Sequence, residues 1–266
     1  MGKTQWIAVT ATALLLLLTY WGCPVRPPEG GVDLTSAPTS TTGLESLIRA
    51  VRGDLAPAQI ATLANLEERL ALAETSETEP ERPLLEQLAG EWFQAGHPAI
   101  SGIYARKIAE ASEVAEDWSI AATTFSLCLR RDGVDDKTRQ FCSEQAVAAY
   151  QAAISLNPDD VDARINLALT YTDAPPQNEP MKGILMLRDL EKQYPENARV
   201  YITLAQLAIR TNQLDRAAQR LEKAVELEPE NVDAICPLAR VYEQLNQLEK
   251  AAGMIERCQQ LINPPS

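Results

Sequence analysis

The stretch "QLDRAAQRLEKAVELEPEN", residues 213–231, decides the fold. Its apolar residues recur at helical spacing, and the pattern stops at Pro229, which cannot sit inside a helix. The apolar side carries small Ala217 and Ala224 among large Leu221, Val225 and Leu227. A lone amphipathic helix has no use for that mixture. Small residues let a second helix approach closely while large ones fill the grooves beside it, so the stretch asks for a packed neighbour.

The neighbour is written in the sequence as a repeat. "VDAICPLARVYEQLNQLEKAAGMIERCQQLINPP", from Val232, lies under "ARVYITLAQLAIRTNQLDRAAQRLEKAVELEPEN", from Ala198, with an offset of 34 residues. Tyr201 falls on Ile235, Leu204 on Leu238, Ala205 on Ala239 and Asn212 on Asn246. Leu214 falls on Leu248, Ala217 on Ala251, Leu221 on Ile255 and Ala224 on Cys258. A supersecondary unit that cannot bury its own face recurs in this way, and stacking supplies the missing surface.

Both copies resemble the tetratricopeptide repeat: a large residue, Leu-Ala, a short turn, a small Ala, a large residue, another Ala and a closing Pro. Earlier units follow the same order. Leu167, Ala168 and Tyr171 open one that closes at "KQYPEN", 192–197, and "DAPPQNEP" places three prolines in its central turn. Trp118, Ala121, Ala122 and Phe125 open another that closes at Pro158, and Leu88, Ala89, Trp92, Gly96, Ser101 and Ala105 supply a first. The resemblance implies an all-α, right-handed α-solenoid of about five helix pairs, at about 82–114, 115–160, 161–197, 198–231 and 232–265. Residues 43–81 are expected to form N-terminal capping helices, with Asp54 and Pro57 at a helix start and "ETSETEPERP", 74–83, an acidic loop. Combined with the apolar N-terminus and the "NEPMKGILMLRDLEKQYPEN" unit, the pattern is similar to membrane-anchored repeat proteins of Bacteroidetes.

Residues 6–23, "WIAVTATALLLLLTYWGC", carry no charge over the length of a single transmembrane helix. Trp6, Tyr20 and Trp21 stand where interfacial aromatics belong, and Lys3 gives the positive flank of a short cytoplasmic stretch, residues 1–5. An uncleaved anchor is the expectation; a lipoprotein signal ending at Cys23 and an ordinary cleaved signal are the alternatives. Residues 24–42, rich in Pro, Gly, Ser and Thr, read as a disordered linker. The domain beyond it is expected on the periplasmic side of a bacterial inner membrane.

A formal net charge of −13 and the lack of a basic stripe argue against nucleic acid as a partner. The one histidine, His97, sits in the turn "AGHPA", so no histidine-based triad or metal cluster can be assembled. No Gly-rich phosphate loop is present. No cofactor and no metal are expected, and the chain does not read as an enzyme. Asp135-Asp136 and Asp159-Asp160 read as helix starts and solvated turns.

Function therefore moves to the concave groove, which the resemblance assigns chiefly to the first helix of each pair. Its usual positions fall on Asn166 and Leu169, then Arg199, Ile202, Gln206 and Arg210, then Arg240, Glu243 and Gln244. The arginines can fork onto a carboxylate or stack on an aromatic ring. Chaperone-binding members hold a C-terminal carboxylate with Lys and Asn; Ile165, Ile202 and Cys236 occupy one clamp position here, so that activity is not expected. Pro237 is expected to disturb the last groove position. The resulting expectation is a membrane-anchored scaffold binding a protein or peptide in the groove. The alternative is a periplasmic assembly or maturation factor presenting clients, similar to anchored repeat proteins of cytochrome maturation.

The five cysteines fall as Cys23, then Cys128 with Cys142, then Cys236 with Cys258. Each of the two later pairs is symmetric about a turn, Cys128 and Cys142 about Asp135, and Cys236 and Cys258 about Gln247, so partners stand at equal height in an antiparallel helix pair. Both are disulfide candidates in an oxidising compartment. Helix axes about 8–10 Å apart exceed the roughly 7 Å Cα limit of a disulfide, so the alternative is a set of small buried residues.

Overall fold

Asp160, Asn197 and Asn231 each stand one residue before a helix, and each side chain accepts a backbone N–H of the first turn. They are spaced as the repeat is spaced, so one capping position starts the first helix of three successive pairs. Asp135 does the same for a second helix, accepting from the N–H groups of Lys137 and Thr138.

A computed structural model describes residues 41–76 and 80–263. The described residues form α1 (Thr41–Val51), α2 (Pro57–Ser76), α3 (Glu81–Gln94), α4 (Pro98–Ser112), α5 (Ala115–Leu129) and α6 (Asp136–Leu156). Then follow α7 (Val161–Asp173), α8 (Lys182–Gln193), α9 (Ala198–Arg210), α10 (Leu214–Leu227), α11 (Val232–Gln244) and α12 (Leu248–Ile262). No strand occurs among them. Asp54 closes a 3₁₀ turn, Arg52–Asp54, instead of starting a helix, and α2 begins at Pro57. The acidic loop is shorter than the composition implied, because α2 runs to Ser76 and α3 begins at Glu81. Among the described residues no helix is long and apolar enough to cross a membrane. The anchor 6–23 and nearly all of the linker 24–42 lie outside the described residues, and of residues 41 and 42 only the backbone, in α1, is described.

Helices pack in sequence, α3 on α4, α5 on α6, α7 on α8, α9 on α10 and α11 on α12, and each pair meets the next. The core runs through the stack as successive clusters, with Trp92, Phe125, Tyr150, Leu187 and Leu221 fully buried. α1 joins the N-terminal end by laying Leu44 and Leu47 on this core.

The turn within a pair is built the same way three times. Gly96, Asn212 and Asn246 have φ of 84°, 55° and 57°, and the following residue donates its N–H five residues back, His97 to Trp92, Gln213 to Ala208 and Gln247 to Tyr242. This is the left-handed closure that lets a helix end in one residue, and Asn tolerates it nearly as Gly does. Where two helices come closest, the chain uses the smallest residue. A Cβ on Gly183 of α8 would stand 2.3 Å from the carbonyl oxygen of Ala168 on α7, and Ala217 and Ala251 hold the equivalent place in the next two pairs.

Candidate functional site

The first helices α7, α9 and α11 carry one stripe in common register. Asp162, Leu169 and Asp173 on α7 correspond to Arg199, Gln206 and Arg210 on α9, and these to Asp233, Arg240 and Gln244 on α11. Residues spaced by seven and then four share one side of a helix, so each set forms a line.

Between α7 and α9 this line is closed by the chain itself. Arg199 donates to Asp162 at 2.6 Å and to the side-chain oxygen of Asn166 at 2.9 Å. Arg210 pairs with Asp173 at 3.4 Å, and Arg130, at the end of α5, reaches the same carboxylate at 3.2 Å. At the N-terminal end Arg82 of α3 forks onto Asp117 of α5 at 2.9 and 3.0 Å. That guanidinium, helped by the Ser112 hydroxyl and opposed by burial, holds the Asp117 carboxyl below the usual carboxylate range. The first helices from α3 to α9 are thus braced across their exposed side.

Between α9 and α11 the line is open. Gln206, Arg240, Glu243 and Gln244 are exposed and engage no other side chain among the described residues. Pro237 lies inside α11 without ending it. It lacks an N–H, so the Asp233 carbonyl loses its helical donor on this same side.

Of the groove positions expected from the repeat register, Ile202 is a correction. It is only 6% exposed and belongs to the core between α9, α10 and α11. The reason is visible one repeat later, where Cys236, at the same position, is bonded to Cys258 on α12. Position 202 therefore faces its own second helix at Ala224, away from the groove. Leu169 is half-buried against the core of α7, α8 and α9. Arg199 and Arg210 stand on the expected side but with their charges committed within the chain.

The structure joins Cys128 to Cys142, with Cα atoms 6.1 Å apart, and Cys236 to Cys258, with Cα atoms 5.2 Å apart. Each Cα lies about 2.3 Å off its helix axis, so residues that face one another across a pair come within disulfide reach at an ordinary axis separation. His97 is half-buried and packs edge-on against Trp92, ring centroids 5.9 Å apart. Burial, with Arg131 nearby, lowers its pKa, so it is a neutral packing residue at neutral pH. No group of three or more His, Cys, Asp or Glu that could hold a metal occurs among the described residues.

The carboxylates Asp162 and Asp173, which hold the arginines of the stripe, are not selected by the groove register of the repeat, although each lies 37 residues before the arginine it meets. That equal offset is the signal the sequence holds.

Residues 212–259 match the family model described as "Tetratricopeptide repeat" and residues 143–173 that described as "TPR repeat". Among solved structures, the thermophilic TPR protein TTC0263 of Thermus thermophilus is 18% identical, over 74% of this chain and 98% of that one, with a TM-score of 0.49. PilW, a type IV pilus biogenesis factor, is 15% identical over 71% of this chain and 81% of its own, at 0.46. MamA from Desulfovibrio magneticus RS-1 is 16% identical over 69% and 96%, at 0.44. No curated protein matches the sequence. The 34-residue register, the recurring left-handed turn and the two family matches agree in showing tetratricopeptide repeats in this chain, at residues 143–173 and 212–259 by direct match.

Proposed function

We propose that the chain is a non-catalytic scaffold that binds a segment of another protein along the concave side of α9 and α11. The family is one of protein–protein interaction modules, and one observation carries the location. The stripe from Gln206 to Gln244 presents uncommitted donors and acceptors, while the same stripe upstream is spent on ion pairs within the chain. Arg240 supplies a guanidinium that can fork onto a carboxylate, and Gln206, Glu243 and Gln244 supply adaptable hydrogen bonds beside it.

The scaffold is held at a membrane by residues 6–23 and works on the oxidising side of it. The charge-free segment and its aromatic ends support the anchor, and two cysteine pairs at bonding distance support the compartment. Affinity capture with the full-length chain from detergent-solubilised membranes tests the reading. A stoichiometric protein partner that is lost on the combined substitution Gln206→Ala, Arg240→Ala and Gln244→Ala is the expected result; capture unchanged by it rejects the location.

A further inference from the structure

On the opposite side of α9 from this stripe, α8 and α10 diverge and leave a cleft of about 760 Å³. Tyr201, Leu204 and Ala208, at three- and four-residue steps along α9, form its floor, with Thr211 just past the end of the helix. Ile184 and Arg188 face it from α8, and Arg216, Arg220 and Lys223 face it from α10 at four- and three-residue steps. The two walls are tied at one point, where Arg220 meets Glu191 at 3.5 Å.

The charge of this cleft runs against the charge of the chain. Arg188, Arg216, Arg220 and Lys223 line its walls, with Arg210 reaching its end while paired to Asp173, and Glu191 is the one carboxylate among the lining residues, in a sequence with 37 acidic and 24 basic residues. Two acids of α10 are engaged: Glu222 accepts from the Tyr242 hydroxyl of α11 at 2.6 Å, and Glu226 pairs with Lys223 at 3.0 Å, so Lys223, like Arg220, is a partnered cation. Arg188 engages no described side chain, and Arg216 meets only the Gln213 amide oxygen. An apolar floor between two cationic walls is complementary to a segment with apolar side chains on one side and carboxylates on both flanks.

We propose that this cleft docks a short acidic, amphipathic segment of a partner protein, with its carboxylates on Arg188 and Arg216. A flat anionic bilayer cannot reach a floor recessed between two helices. A long polyanion would meet the repulsion of the acidic chain, whereas a few carboxylates placed between the walls do not. The site shares only Arg210, at its end, with the concave stripe, and Arg188 and Arg216 lie outside that stripe, so it is tested independently of the function proposed above.

The test uses the full-length chain in detergent and a fluorescein-labelled peptide of about 12 residues, with Leu at helical spacing and Glu on both flanks. The expected result is saturable binding that weakens with added salt, falls at least about tenfold in Arg188→Ala/Arg216→Ala, and is unchanged in Arg240→Ala. Both substituted arginines are exposed, and circular dichroism checks that the helices remain. Four results would overturn the proposal. They are equal binding by the double variant, equal binding of a Gln-for-Glu peptide, binding to phosphatidylglycerol vesicles with none to the peptide, and loss of self-association as the only effect of the double variant. A peptide lost on Arg240→Ala alone would also refute the cleft while leaving the concave reading intact.

Discussion

The third and fourth helix pairs share one design and differ in what they do with it. In the third, α7 and α8 are joined through Gly183 and a turn lengthened around three prolines, and the exposed stripe of α7 is tied to α9 by an ion pair at each end. From the fourth pair onward the repeat is regular, the stripe is unbraced between α9 and α11, and α12 keeps a single buried residue, Ala251. Surplus polar groups on the regular end are left without side-chain partners among the described residues, and those on the irregular end serve the fold.

The largest expected effect probes the regular end. Reducing Cys236–Cys258 releases a 22-residue closure, and by chain entropy alone removes about 3 kcal/mol. Because α12 has so little buried surface, hydrogen exchange should rise first in α11 and α12, and much less in α5 and α6 when Cys128–Cys142 is reduced. Equal loosening of both pairs would mean that the last pair is held by more than its disulfide.

Gly183→Ala probes the irregular pair. The new Cβ meets backbone at 2.3 Å, so α8 must move away from α7, at a cost of about 1–3 kcal/mol. Gly253→Ala, whose Cβ meets nothing within 4 Å, should leave the melting temperature unchanged or slightly raised. A similar loss from both would remove the close helix contact.

Much of this was legible in the sequence. Ala217, Ala251 and the 34-residue offset specified the helix pairs, because packing demands a fixed size at a fixed register. Ile202 shows where the reading stopped: an apolar residue at a groove position gives no sign of which helix covers it, and only the cysteine pair one repeat later does. Arg199 and Arg210 show a second limit. Exposure and charge could be read from the register, whereas commitment depends on a carboxylate 37 residues away. The cleft was not legible at all, since its walls come from helices that do not touch along their length in the repeat pattern.

A smaller effect concerns Asp173, which serves two arginines. Asp173→Ala should cost about 1 kcal/mol and raise hydrogen exchange in α7 and α9 without touching α11. Propagation of the change to α12 would mean that bracing and repeat stacking are not separable.

The smallest is a pH effect at the other end of the brace. The carboxyl of Asp117 titrates below its ordinary value in the fold, so the unfolded chain takes up this proton first as pH falls. Its contribution is fully present above the ordinary carboxylate range, about pH 4, and is lost as pH drops through the lowered value. Asp117→Asn should flatten that acid limb of the melting temperature and leave the curve near neutrality with a constant offset; an unchanged limb would remove Arg82–Asp117 from the account.

The division between braced and open stripes is tested most directly by two single substitutions in the full-length chain, each measured for thermal stability and for partner capture. Arg199→Ala should lower stability by about 0.2–1 kcal/mol and retain the partner, because its charge is held by Asp162 and Asn166. Arg240→Ala should leave stability unchanged and weaken capture, because no side chain among the described residues holds its charge. The reverse pattern, with capture lost at Arg199 and stability lost at Arg240, would contradict the account.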